Sequence, residues 1–163
     1  MRLSPEGVAV AAGLLALAVG ALVYLADRDP AHVMALPAFA VLATGPLFGA
    51  AADWLPSFVH AFAFSLFTAA AWPRALRPAY GACVFWWAVD LAFEAAQHPP
   101  WRAALARALP SGLDTLAPAN WVARYAQQGR FDPMDVLAIT AGALAAAGLL
   151  YCVHQLRETP HAC

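Results

Sequence analysis

The chain has 163 residues, 63% hydrophobic and 12% charged, with a mean hydropathy of +0.62 and a formal net charge of -1. A soluble domain carries roughly twice that charged fraction, so the composition excludes an ordinary globular domain and implies an integral membrane protein. The near-neutral balance excludes a nucleic-acid binder, which would show a basic face.

A spanning helix needs about 20 apolar residues, and residues 5–26 supply the first. Arg2 before an apolar run is also a signal-peptide feature. However, the run is longer than a signal's apolar region, and Tyr24 stands where cleavage wants a small residue, so a retained anchor is expected. The polar link 27–32 leads into residues 33–52, which are apolar but interrupted by Pro37, Gly45, Pro46 and Gly49. Proline breaks the backbone ladder, and lipid-exposed backbone must be satisfied internally. A re-entrant or interfacial segment is therefore expected at 33–52, with a fifth span as the alternative.

Residues 54–72 form the second expected span, with Pro56 near its start where proline is tolerated. Residues 79–97 form the third. The long link 98–131 holds WRAALARALPSG and ANWVARYAQQG, each patterned as a short amphipathic helix. Trp101, Trp121 and Tyr125 suit a membrane–water boundary. The last span, 133–154, opens with Asp132 as an N-cap and Pro133 at the first helical position. The expected fold is all-α: one transmembrane domain, a polytopic bundle of four spans with short interfacial helices between the last two. The arginines do not orient it. Arg2, Arg74, Arg77 and Arg157 fall on one side, and Arg28, Arg102, Arg107, Arg124 and Arg130 on the other.

The third span is unusual in carrying Asp90, Glu94 and Gln97 at i, i+4 and i+7, one helical face. Carboxylates inside a span are costly and face a partner, a cavity or a substrate path. Alternation of direction puts the start of 54–72, the end of 79–97 and the start of 133–154 on one membrane side. That side collects Asp53, His60, Asp90, Glu94, Gln97, Arg130, Asp132 and Asp135. Such a layer could bind a headgroup or relay a proton. Each member also has a structural reading. Asp132 and Asp135 suit an N-cap and its N3 partner. Asp53 suits a solvated loop, and Asp90 or His60 suits interhelical hydrogen bonding. Glu94 demands a partner, and Arg130 is the natural candidate.

Other chemistry is weakly signalled. Cys83, Cys152 and Cys163 form no C-x-x-C pair, so neither a disulfide framework nor a zinc knuckle is expected. No H-E-x-x-H, G-x-S-x-G or phosphate loop occurs. Neither a cofactor nor a metal is expected. Bis-histidine haem would need His32, His60 or His98, two of them at span ends. His60, Asp53, Glu94 and Asp135 as metal ligands follow no diagnostic spacing.

Three blocks resemble the VanZ-like family of small bacterial membrane proteins: PSFVHAFAFSLF around His60, Glu94-x-x-Gln97 closing a span, and GRFDPMDVLAITAG with Arg130, Asp135 and Gly142. Together they cover residues 50–150. Two features depart from the family pattern: Ile139 stands where the family has Asn, and the stretch between Gln97 and Arg130 is long. The resemblance implies four spans in the bacterial inner membrane and both termini in the cytoplasm. It places the polar layer on the extracytoplasmic face and implies a link to glycopeptide resistance, without settling whether a reaction is catalysed.

Two functions are expected from these residues. In the first, the layer binds or processes an envelope lipid or glycolipid headgroup. Arg130, with Arg102 or Arg124, pairs a phosphate. Glu94, Asp135 and His60 orient the headgroup or move a proton, and Gln97 bonds a sugar or amide. In the second, the layer is an internal lock in an accessory subunit of a larger complex. Residues 33–52 and 98–131 then dock the partner protein.

Overall fold

The computed structural model describes residues 4–27, 47–72, 75–108 and 129–158. These are all-helical: α1 (Pro5–Ala26), α2 (Ala51–Ala69), α3 (Leu76–Gln97), α4 (Pro99–Ala108) and α5 (Pro133–Glu158). Residues 28–46 and 109–128 lie outside the described residues, and with them most of the expected re-entrant segment 33–52 and the second amphipathic segment of the long link. Within that link, Pro99–Ala108 is the helix expected of WRAALARA.

Helix boundaries follow local chemistry. At the start of α1, the Ser4 hydroxyl accepts from the Gly7 N–H at 3.2 Å, and Pro5 takes the position that lacks a partner for an N–H. α2 begins at Ala51, three residues before the expected start. The cause is a contact distant in sequence. The Asp27 carboxylate, at the end of α1, accepts from the N–H groups of Leu47 (2.8 Å), Phe48 (2.8 Å) and Gly49 (3.1 Å). Gly49 takes φ +54, a left-handed conformation open to glycine, and turns the chain into α2. Pro56 therefore lies inside the helix rather than in its first turn, and removes one ladder hydrogen bond there.

Point contacts fix the register of the bundle. Gly13 and Gly20 of α1 lie against Phe67 and Val59 of α2, so the two helices run antiparallel. Thr68 and His60 of α2 meet Trp86 and Asp90 of α3, again antiparallel. Trp87 and Glu94 of α3 meet Thr140 and Asp132 at α5. α2 contacts α1, α3 and α5 and is the central helix. The end of α1, the start of α2, the end of α3 and the start of α5 therefore share one end of the bundle.

Small residues make the packing close. Ala9, Leu66, Cys83 and Ala146 form one buried cluster, bordered by Phe62 and Leu150. A Cβ at Gly142 would collide with the Phe58 carbonyl oxygen and sit 3.3 Å from Ala61 Cβ, so the α2 and α5 backbones touch there. Helices associating in lipid pack in this way, where small residues let backbones approach.

Two segments, Glu6–Ala26 and Pro133–Leu156, are long and apolar enough to cross a membrane. At 1.5 Å per residue they measure roughly 32–36 Å, enough for a hydrocarbon core of about 30 Å. α2 and α3 are comparable in length but carry Asp53 and His60, and Arg77, Asp90 and Glu94, respectively. The polarity of α3 is inverted. Its Asp90, Glu94 and Gln97 are buried, while Val84 (62%) and Phe85 (57%) face outward.

Candidate functional site

The three polar residues of α3 face into the bundle but have separate partners. Asp90, nearest mid-helix, is 8% exposed, and its Oδ1 lies 2.8 Å from His60 Nδ1. The imidazole is 46% exposed. Phe64, one turn further along α2, lies tilted beside it at a centroid distance of 4.4 Å, and Trp86 lies edge-on at 5.8 Å. Trp86 is itself fixed by its indole N–H, which donates to Thr68 Oγ1 at 2.8 Å. With Nδ1–H donating to the Asp90 carboxylate, a neutral imidazole leaves Nε2 as an acceptor. Asp90 Oδ2 is buried with no hydrogen-bond partner among the described residues.

Glu94, one turn nearer the end of α3, does not pair with Arg130, the partner expected from sequence. Its Oε1 accepts from the backbone N–H of Asp132 at 2.7 Å. Asp132 caps α5, as expected: its Oδ1 accepts from the Met134 N–H at 2.8 Å. In a capping box the N3 side chain reaches back to the N-cap N–H. Here the N3 residue is Asp135, and Glu94 from another helix takes that place. Asp135 Oδ1 instead accepts from the Ser57 hydroxyl of α2 at 2.6 Å. The start of α5 is thereby tied to α3 through Glu94 and to α2 through Ser57. A carboxylate at a helix N-terminus also meets the positive end of its dipole.

Gln97 closes α3 and is buried against Gly129, where any Cβ would overlap the glutamine amide. Arg130 is exposed. Next to it, Phe131 packs edge-on against His98 at 4.9 Å. Lower on the α3–α5 seam, the Trp87 indole N–H donates to Thr140 Oγ1 at 3.1 Å, and Thr140 donates to the Val136 carbonyl at 2.8 Å. Ile139, the departure from the family pattern, is buried.

The expected layer is thus two arrangements along one seam. His60 and Asp90 form a pair with one outward face. Glu94, Gln97 and Asp135 tie the ends of α3, α2 and α5 together. No three His, Cys, Asp or Glu side chains converge as a metal-ligand set among the described residues. Sequence reasoning missed Ser57, Asp27 and Thr68. Ser57 was within reach: it precedes His60 by three residues and shares its side of α2. Asp27 and Thr68 have partners about 20 residues away, and no local pattern signals them.

No family model, curated protein or solved structure matches this chain.

Proposed function

We propose that this chain is a four-span protein of the cytoplasmic membrane, of VanZ-like type, whose polar end receives the headgroup of an envelope lipid. The His60–Asp90 pair is the contact that carries this reading. A buried carboxylate holds one ring nitrogen at 2.8 Å while nearly half of the histidine side chain stays exposed. That geometry presents Nε2 outward in a fixed orientation, suited to accept from a headgroup hydroxyl. Arg130, exposed at the end of the bundle about two turns beyond Asp90, supplies a guanidinium for a phosphate. The inverted polarity of α3 supports a membrane position for α2 and α3. Carboxylates inside and large apolar side chains outside suit hydrocarbon better than water. The VanZ-like reading carries with it a polar end outside the cell, both termini in the cytoplasm and a link to glycopeptide resistance.

Native mass spectrometry of the gently solubilised protein tests this. The wild type retains a specific envelope lipid; His60→Ala and Asp90→Asn lose it while eluting as folded protein. A folded His60→Ala protein that keeps the same lipid would refute the headgroup contact.

A second reading draws on the Glu94–Asp132 and Ser57–Asp135 bonds, which are internal ties. They fit an accessory subunit of a larger membrane complex in which the polar end is a lock. This reading predicts a protein partner that co-purifies with wild type and His60→Ala alike, and no specific lipid.

A further inference from the structure

The depth of the His60–Asp90 pair in the bundle restricts what it can hold. His60 stands nine residues into α2 from Ala51, and Asp90 stands seven residues before Gln97 at the end of α3. At 1.5 Å per residue the pair lies about 10–14 Å below the polar end. With α2 and α3 as membrane spans, that level falls inside the hydrocarbon, beneath the phosphates of the bilayer.

Three features of the surroundings set the chemistry. Asp90 occupies Nδ1 at 2.8 Å while the histidine side chain is 46% exposed, so the neutral ring offers an acceptor at Nε2 and calls for a donor. The walls are aromatic: Phe64 at 4.4 Å and Trp86 at 5.8 Å, both half-buried. No cation stands at this level on the spanning helices. α1 and α2 contain no Lys or Arg, α3 contains only Arg77, about 20 Å of rise from Asp90, and α5 contains only Arg157, at the opposite end. Asp90 Oδ2 is buried and has no hydrogen-bond partner among the described residues. A phosphate on Nε2 would bring a second anion beside that carboxylate, where like charges repel strongly and an unpaired charge is costly to bury. An uncharged hydroxyl avoids both costs and donates to Nε2.

We infer that the His60–Asp90 pair seats the free hydroxyl of an uncharged lipid, a diacylglycerol or a prenol, and turns phosphate groups away. The inference rests on the proposed reading of His60 as a lipid contact and of α2 and α3 as membrane spans. It deepens that reading by naming the group bound.

The test is a competition in one solution. The full chain is held in lauryldimethylamine oxide, a detergent without a hydroxyl of its own. It is titrated with equal amounts of dioleoylglycerol, geranylgeraniol, the acetate ester of each, and dioleoyl phosphatidic acid, and the bound species are read by native mass spectrometry. Wild type is expected to hold one of the alcohols at least about tenfold more than its acetate or the phosphatidic acid, the ratio for a hydrogen bond of about 1.4 kcal/mol. Which alcohol is held separates a glycerolipid from an isoprenoid source. In His60→Ala the preference for alcohol over acetate should vanish; circular dichroism checks its fold, and the wild-type comparison stands without it. Acetates held as well as the alcohols overturn the inference. Phosphatidic acid held above both alcohols by wild type and lost by His60→Ala overturns the hydroxyl assignment and leaves His60 as a headgroup contact. An alcohol preference unchanged in folded His60→Ala overturns both. Binding of none of these probes overturns the inference alone, and the lipid that co-purifies then decides the proposed function.

Discussion

Replacing Glu94 with alanine removes the only described acceptor for the N–H at the cap of α5. Glu94 is buried, and its bond to the Asp132 N–H is 2.7 Å long. A hydrogen bond to a charged group contributes about 1.5–3 kcal/mol. A carboxylate at a helix N-terminus adds about 0.3–1 kcal/mol. The expected loss is therefore about 2–4 kcal/mol for Glu94→Ala. For a chain of this size each kcal/mol moves the unfolding midpoint by about 2–4 °C, so Tm should fall by roughly 4–16 °C. Glu94→Gln keeps a carbonyl acceptor in the same place and gives up mainly the charge, so its loss should stay near about 1 kcal/mol. The assay is a thermal melt of purified protein in one detergent, followed by tryptophan fluorescence at a fixed scan rate, because irreversible unfolding makes the midpoint depend on scan rate. Equal Tm values for wild type and Glu94→Ala would refute the argument that Glu94 ties α3 to α5. So would a Glu94→Gln protein as unstable as the alanine variant, because charge alone would then carry the effect.

Three further outcomes are expected. Gly142→Leu drives a side chain into the Phe58 carbonyl of α2; overpacking should cost about 1–3 kcal/mol or more and be seen as a lowered Tm or loss of a monodisperse elution peak. Asp27→Ala frees the amides of Leu47, Phe48 and Gly49, and hydrogen exchange at those positions should accelerate by about tenfold or more, as for a loss of at least about 1.4 kcal/mol. A double-mutant cycle on Ser57→Ala and Asp135→Ala should show a coupling of about 0.5–3 kcal/mol, whereas additive effects would mean that the 2.6 Å bond is energetically silent.

The sequence was most legible where a signal is periodic or local. The i, i+4, i+7 spacing of Asp90, Glu94 and Gln97 marks one face, and that face is buried. Asp132-Pro133 marks a helix start, and α5 begins there. It was least legible where a partner is distant or belongs to the backbone. Charge complementarity pointed Glu94 to Arg130, but the structure pairs it with an N–H, a group every residue except proline carries and no side-chain pattern reveals. Likewise, α2 starts early because Asp27 organises the turn at 47–49 across a gap of about 20 residues. The capping-box pattern suggested that Asp135 serves its own helix, yet Ser57 of α2 competes for it. His60 and Asp90 were each placed in the polar layer; that they meet at 2.8 Å required the α2–α3 register.

The central claim is that α2 and α3 lie in the bilayer with their polar residues turned inward. A spin label at Phe85→Cys, in a protein whose Cys83, Cys152 and Cys163 have been replaced, tests it in proteoliposomes. Phe85 is 57% exposed on the outer face of α3. The account predicts frequent collisions of that label with dissolved oxygen and few with a water-soluble nickel chelate. A label that meets the chelate freely would place the outer face of α3 in water and contradict the four-span membrane bundle.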